Sequence, residues 1–391
     1  MKLKINYLLL LFVVFAFQAK ADQKNDKYTA EVTKVLRKQI LAEANWALTQ
    51  APITVTAQSS PRSAGTKHDF FSEGDYWWPD PSNPKGPYIQ KDGLTNPDNF
   101  VAHRLAMIRF SKIIGALASA YKITGDEKYV KHAFVHLKAW FVNSETLMNP
   151  NLLFAQAIQG RFTGRGIGII DTIQLMEVAQ GVFVMQHSKA ANKAALAEIK
   201  KWFASYLTWL TTHQYGKDEM NAENNHGTCW TMQVASFAKL TGNKDLLNFC
   251  RERFKTVLLP NQMAADGSFP RELKRTKPYG YSLFNLDAMT TLCQILADKE
   301  NNLWAFKLTD GRTMKKGIEY MYPFVADKST WPLPKDVMYW DYWPVAQPFL
   351  VFGAKQFQND TWLATWKKLD HQPKVEEVIR NLPIRNPLIW L

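Results

Sequence analysis

The sequence predicts an all-α fold in which helical hairpins follow one another along the chain, an α/α toroid or solenoid. Apolar residues recur at helical spacing over most of its 391 positions, and strand-like alternation is scarce. A turn motif also recurs. ASAYKITGDEKY (118–129) aligns without gaps to ASFAKLTGNKDL (235–246), and FGAKQFQNDTWL (352–363) is a looser third copy. In the first two copies a helix ends on a Gly at C′, and an Asp or Asn follows as the next N-cap. That is the turn of an αα-hairpin, and its recurrence marks a helical repeat architecture.

In chain order, the spacing predicts helices over 27–50, 98–123, 126–141, 171–187, 192–212, 228–240, 243–259, 285–298, 312–324 and 341–357. Ahead of them, Lys2 and Lys4 precede an apolar run, Tyr7 to Phe17, too short to span a bilayer comfortably. Ala19-Lys20-Ala21 follows as a cleavage site. The expectation is a secretory leader over 1–21, cut after Ala21, and a periplasmic or secreted protein. No Cys follows the apolar run, so no lipid or membrane anchor is expected. No Gly/Ser linker divides residues 22–391, which predicts one domain.

Residues 61–99 interrupt the helical pattern with Pro, Gly, Asp and aromatics. A loop that long is usually functional. Tyr76, Trp77, Trp78 and Tyr88 are expected either to stack on sugar rings or to cap the open end of the helical core. The net charge is +13, falling to +10 when Lys2, Lys4 and Lys20 leave with the leader. A basic surface concentrates anionic ligands. With 14 Trp and no Lys/Arg block, an acidic polysaccharide fits better than nucleic acid. Cys229, Cys250 and Cys293 lie in apolar helical contexts and read as buried free thiols.

The chemistry is concentrated in two segments. NAENNHGTCW carries Asn224, Asn225 and His226, and PRELKRTKPYGYS carries Arg271, Arg275, Tyr279 and Tyr281. The set holds amides, an imidazole, guanidiniums and phenols, without an obvious nucleophile. It suits a reaction that neutralises a carboxylate and moves a proton. In a polymer of hexuronic acid, β-elimination of the 4-O link removes the weakly acidic C5 proton, α to the carboxylate. Asn225, His226 and Arg275 could stabilise the enolate-like intermediate. A Tyr whose pKa is lowered by Arg and His could take the proton and return it to O4. Each residue also has an ordinary reading. Asn-Asn-His before a helix can be a cap, Arg-x-x-x-Arg a solvated face, and Tyr281 a core aromatic.

NNHGTCW, DGSFPRELKRTKPYGYSLFNLDAM, YWWPDP…PYIQKDG, GRFTGRGIGIIDT (160–172) and YWDYWPVAQPFL (339–350) together resemble the alginate lyase superfamily of α/α-toroid polysaccharide lyases. The likeness is greatest to polysaccharide lyase family thirty-eight and more distant to family five. It implies an alginate or glucuronan lyase on a toroid of six to seven helical hairpins, closed or incomplete, with aromatic loops over the cleft. It also implies that Asn225, His226 and Arg275 neutralise the carboxylate and that Tyr281 is base and acid. The Arg-to-Tyr spacing is one residue shorter than in family five, which leaves Tyr279 as a rival phenol. Arg161 and Arg165, in a Gly-rich loop, and His68, at the start of the aromatic loop, are further substrate-binding candidates. His103 reads as a packed core histidine.

No metal-ligand spacing is present, so neither metal nor cofactor is expected. Two other functions stay open. A glycoside hydrolase would need two of Asp75, Asp80, Glu223 and Asp287 facing each other across a cleft. A non-catalytic glycan-binding protein would need only the Trp-rich loop.

Overall fold

The computed structural model describes residues 5–298 and 300–391, with side chains from Lys27 onward. The expected leader over 1–21 lies outside the residues whose side chains are described. The helices are α1 (Ile5–Leu48), α2 (Ala102–Thr124), α3 (Glu127–Phe141), α4 (Leu175–Met185), α5 (Lys193–Thr212), α6 (Gln214–Met220), α7 (Asn225–Thr241) and α8 (Lys244–Arg253). They continue with α9 (Leu259–Gln262), α10 (Pro270–Leu273), α11 (Pro278–Leu296), α12 (Met314–Ala326), α13 (Pro348–Phe357), α14 (Asp360–Lys368) and α15 (Glu376–Arg380).

Packing follows a circuit. Helix α1 lies on α2, α2 on α4, α4 on α7, α7 on α11, α11 on α13, and α13 returns to α1. Of the two architectures that the repeating hairpins predict, this is the toroid. Helices of the circuit such as α7 and α11 are buried on nearly every face, so their apolar pattern runs almost all round. Outer partners such as α3, α5, α8 and α14 bury one stripe only. The ring is also tied at its seam by ion pairs from Lys27 to Asp360 and from Lys367 to Glu31.

All three copies of the turn motif form the predicted corner. Gly125, Gly242 and Gln358 adopt left-handed backbone at φ 69°, 76° and 54°. Asp126, Asn243 and Asn359 then cap α3, α8 and α14 by accepting from Lys128 N, Leu246 N and Trp362 N. The helix expected over 341–357 starts only at Pro348, because residues 340–342 form a short 3-10 turn and Pro344 and Pro348 lack the N–H that a longer helix needs. Cys229, Cys250 and Cys293 are free and buried.

The long loop is not structureless. Strand β1 (Phe71–Glu73) pairs in parallel with β4 (Phe154–Ala157), while β2 (Trp77–Trp78) and β3 (Ile89–Gln90) form an antiparallel pair. These short pairings bring Tyr76 and Trp77 over one end of the ring. The same end receives the first turns of α7 and α11.

Candidate active site

A cavity of about 150 Å³ opens at that end. Its walls come from distant stretches of chain: Asp75 to Asp92, Gln156 to Ile170, Asn224 to His226, Arg275 to Phe284, and Glu377 to Asn381. Asn225, His226, Arg275 and Tyr281, from two separate segments of sequence, therefore line one space.

The start of α7 fixes the first group. Asn224 is the N-cap, in extended backbone, accepting from His226 N. The capping reading thus holds for Asn224, whereas Asn225 is the first helical residue. Asn225 is 2% exposed and donates its backbone N–H and Nδ2 to Glu272 Oε1 and Oε2, at 2.7 and 2.8 Å. His226 Nδ1 lies 2.6 Å from Glu219 Oε1. A carboxylate there makes Nδ1 the donor and leaves Nε2 as the ring's other nitrogen. A Cβ on Gly227 would sit 2.1 Å from the carbonyl oxygen of Ala222, so the motif needs glycine for this close approach.

The second group precedes and opens α11. The Arg275 guanidinium lies 4.5 Å from the centre of the Tyr281 ring, with Nη2 3.4 Å from the phenol oxygen and 2.9 Å from Asp92 Oδ1. Tyr281 shares a 2.7 Å hydroxyl–hydroxyl bond with Tyr76. Burial pushes the Tyr281 phenol well above its ordinary range and Tyr76 adds to that; Lys277 and Arg275 pull it only partly back. The sequence reading expected a lowered pKa. The direction is the reverse because the phenol is desolvated and faces another phenol.

Beneath the cavity runs a buried ion network. Asp75 accepts from Arg104 at 2.8 Å and from Arg380 at 2.6 Å. Arg380 also meets Glu377, which holds Lys277 at 3.0 Å. Burial works against the Asp75 carboxylate, but the two guanidiniums outweigh it and bring it down to about 2. The charge available to an anion comes from Arg165, a wall residue whose guanidinium donates to the neutral oxygens of Gln156.

Other expected residues divide. Arg165, Tyr76 and Trp77 line the cavity. Tyr279 does not: it is fully buried, and its hydroxyl donates to Phe324 O, so it is a core residue. His68 bonds Leu147 O and takes no part in the cavity wall. Arg271 is exposed and pairs with Glu223. Trp78 bonds Leu94 O under Lys91, and Arg161 bonds Tyr88 O while lying over Trp77; these three, Trp78, Tyr88 and Arg161, stand beside the cavity rather than in its wall. His103 is a packed core residue, accepting from Phe71 N.

The acids proposed for hydrolysis are placed otherwise. Asp287 is buried in the core with its carboxyl pushed up by desolvation, Asp75 is locked between arginines, Asp80 caps Ser82, and Glu223 is on the surface. Sequence reasoning missed Asp92, Glu219, Glu272, Gln156, Glu377 and Arg380. Only Gln156 carries a structural oddity, a left-handed φ of 49°, and nothing in its sequence announces it.

Comparison with known proteins agrees with this architecture. A family model described as Alginate lyase matches residues 54–331. The chain is similar to an alginate lyase from Bacteroides ovatus, with 31% identity over 95% of this chain and 98% of that one, and a TM-score of 0.79. It is also similar in fold to alginate lyase A1-III from Sphingomonas species A1, at 14% identity, 81% and 85% coverage and a TM-score of 0.51. A variant of alginate lyase A1-III complexed with a tetrasaccharide aligns at 13% identity over 82% and 86%, with a TM-score of 0.54. No curated protein matches the chain.

Proposed function

The chain belongs to the alginate lyase family and is a polysaccharide lyase; on that premise we propose that it cleaves a 1,4-linked polyuronate, mannuronate-containing alginate or glucuronan, by β-elimination. The observation that carries this reading is the convergence of Asn225, His226, Arg275 and Tyr281 on one cavity. Arg275, Asn225 and His226 neutralise the substrate carboxylate, which acidifies the C5 proton and stabilises the enolate-like intermediate. Tyr281 takes that proton and returns one to the departing O4. Tyr76 and Trp77 offer ring faces to the sugar. The motifs that resemble polysaccharide lyase family thirty-eight support glucuronan beside alginate, and the leader expected over 1–21 supports action in the periplasm or outside the cell.

The raised pKa of Tyr281 favours one second reading. With Glu219 orienting Nδ1, His226 Nε2 could remove the C5 proton while neutral Tyr281 protonates O4.

The test is to incubate the protein with polymannuronate, polyguluronate, glucuronan and a glycosaminoglycan. Elimination leaves a C4–C5 double bond conjugated to the carboxylate, read by ultraviolet absorbance. New reducing ends without that absorbance would rule out the lyase reading. Full activity in Tyr281→Phe would remove Tyr281 from either mechanism.

A further inference from the structure

We propose that Lys277 is a positioning residue for proton transfer: held by Glu377 among the rings of Tyr76, Tyr281 and Tyr339, its ammonium stabilises the phenolate that the Tyr281–Tyr76 pair becomes when it releases a proton to solvent, ready to take the C5 proton. The inference rests on the reading of Tyr281 as the proton-transfer group.

Lys277 is 6% exposed, and its Nζ lies 3.0 Å from Glu377 Oε1. It sits 5.1 Å from the centre of the Tyr76 ring, 5.3 Å from that of Tyr281 and 5.5 Å from that of Tyr339. An ammonium has three donors, and beyond Glu377 this one meets aromatic faces. A phenol that loses its proton spreads negative charge into its ring. A cation over the ring face therefore favours the phenolate more than the phenol, which is the differential that lowers a barrier. Because Tyr76 and Tyr281 share a hydroxyl bond, one cation serves both.

The other charges around the pair have other partners. Arg275, on the Tyr281 ring, engages Asp92 and is assigned to the substrate carboxylate. From α15, Arg380 pairs with Asp75 and Glu377. Asp336, between α12 and α13, accepts from the backbone of Tyr279 and Gly280. Lys277 lines a smaller adjoining cavity that shares Tyr281, Phe284, Glu377 and Asn381 with the first, and its Nζ is held there by Glu377. Burial alone would pull its ammonium down; Glu377 and Tyr281 more than offset this and keep it charged.

The experiment measures kcat and KM against pH for wild type, Lys277→Met, Lys277→Arg, and the double variant Lys277→Met/Glu377→Met, which leaves no buried carboxylate alone. Each variant is first checked for wild-type circular dichroism and a cooperative melt. The substrate is whichever of the polymers above the wild type cleaves. Expected are a kcat about 10- to 100-fold lower near neutrality for both Met variants, KM within about twofold, and the rising limb of the profile moved about one to two pH units upward, with Lys277→Arg restoring most of both. A folded double variant with the wild-type profile, or a loss that Lys277→Arg shares in full, overturns the proposal. If wild type yields no unsaturated product, or if Tyr281→Phe remains active, the underlying reading fails and this proposal falls with it. If both controls behave as expected and only the double variant's profile is unmoved, the proposal alone fails.

Discussion

Asn225 shows how closely the site depends on single partners. Two of its N–H groups end on Glu272, which is itself buried and has its carboxyl pushed up by desolvation against the pull of those same donors. Glu272→Ala leaves both donors without an acceptor and should cost about 2 kcal/mol in urea unfolding while lowering kcat, because the first turn of α7 loses its anchor. Tyr281 gives a prediction in pH. Its folded-state phenol is held up by burial, so the phenolate fraction grows with pH through the neutral range. With Tyr281 as base, kcat/KM should climb close to tenfold per unit from about pH 6 to 9. A flat profile there would transfer the base role to His226. The four residues of the constellation were legible because amides, imidazole, guanidinium and phenol are chemically distinctive at any position. Their carboxylate partners were not. Glu219, Glu272 and Asp92 lie 7, 47 and 183 positions from His226, Asn225 and Arg275, and no spacing rule connects such pairs.

The helices and their corners were the most readable elements, since a corner is local chemistry. At Gly242 a Cβ would meet nothing within 4 Å, so Gly242→Ala pays only for left-handed backbone, about 1 kcal/mol. Asn243→Ala removes the cap on Leu246 N and should cost a similar ~1 kcal/mol. The two changes, compared by thermal melts, should leave kcat untouched, because this corner takes no part in the cavity wall. Elements of a turn or two escaped the sequence reading. Helices α6, α10 and α15 are too short to show a period, yet they supply Glu219, Glu272, Glu377 and Arg380. Short helices were hidden for the reason they are useful: their residues answer to particular polar partners and not to a stripe.

Across the whole molecule, the ring brings the aromatic loop and α15 to the same end, and Asp75 locks them together through Arg380 while Arg104 holds it from α2. Asp75→Asn should cost about 3–5 kcal/mol, because it leaves two guanidiniums short of a buried counter-charge. The sign in pH follows from a folded pKa of about 2, below the ordinary value of 3.8. The stabilisation is complete above the ordinary value and drains away as pH falls through about 2, so the variant's stability should depend less on acid over that interval. Chemical denaturation at pH 2, 4 and 7 reads both effects. That helical hairpins would follow one another was readable from the recurring corners, which left toroid and solenoid both open; the toroid came from the family resemblance. That the closure would be sealed by a carboxylate in the loop was not readable.

The bond from Arg380 to Asp75 joins positions 305 apart. Hairpin corners close over a few residues and form early, whereas a contact of that separation must wait for the chain between to be ordered. Diluted from denaturant, the protein should therefore regain helical circular dichroism before it regains turnover, with an interval in which it has its helices and no enzyme. Turnover and dichroism returning at one rate would show instead that cleft and ring arise in a single step.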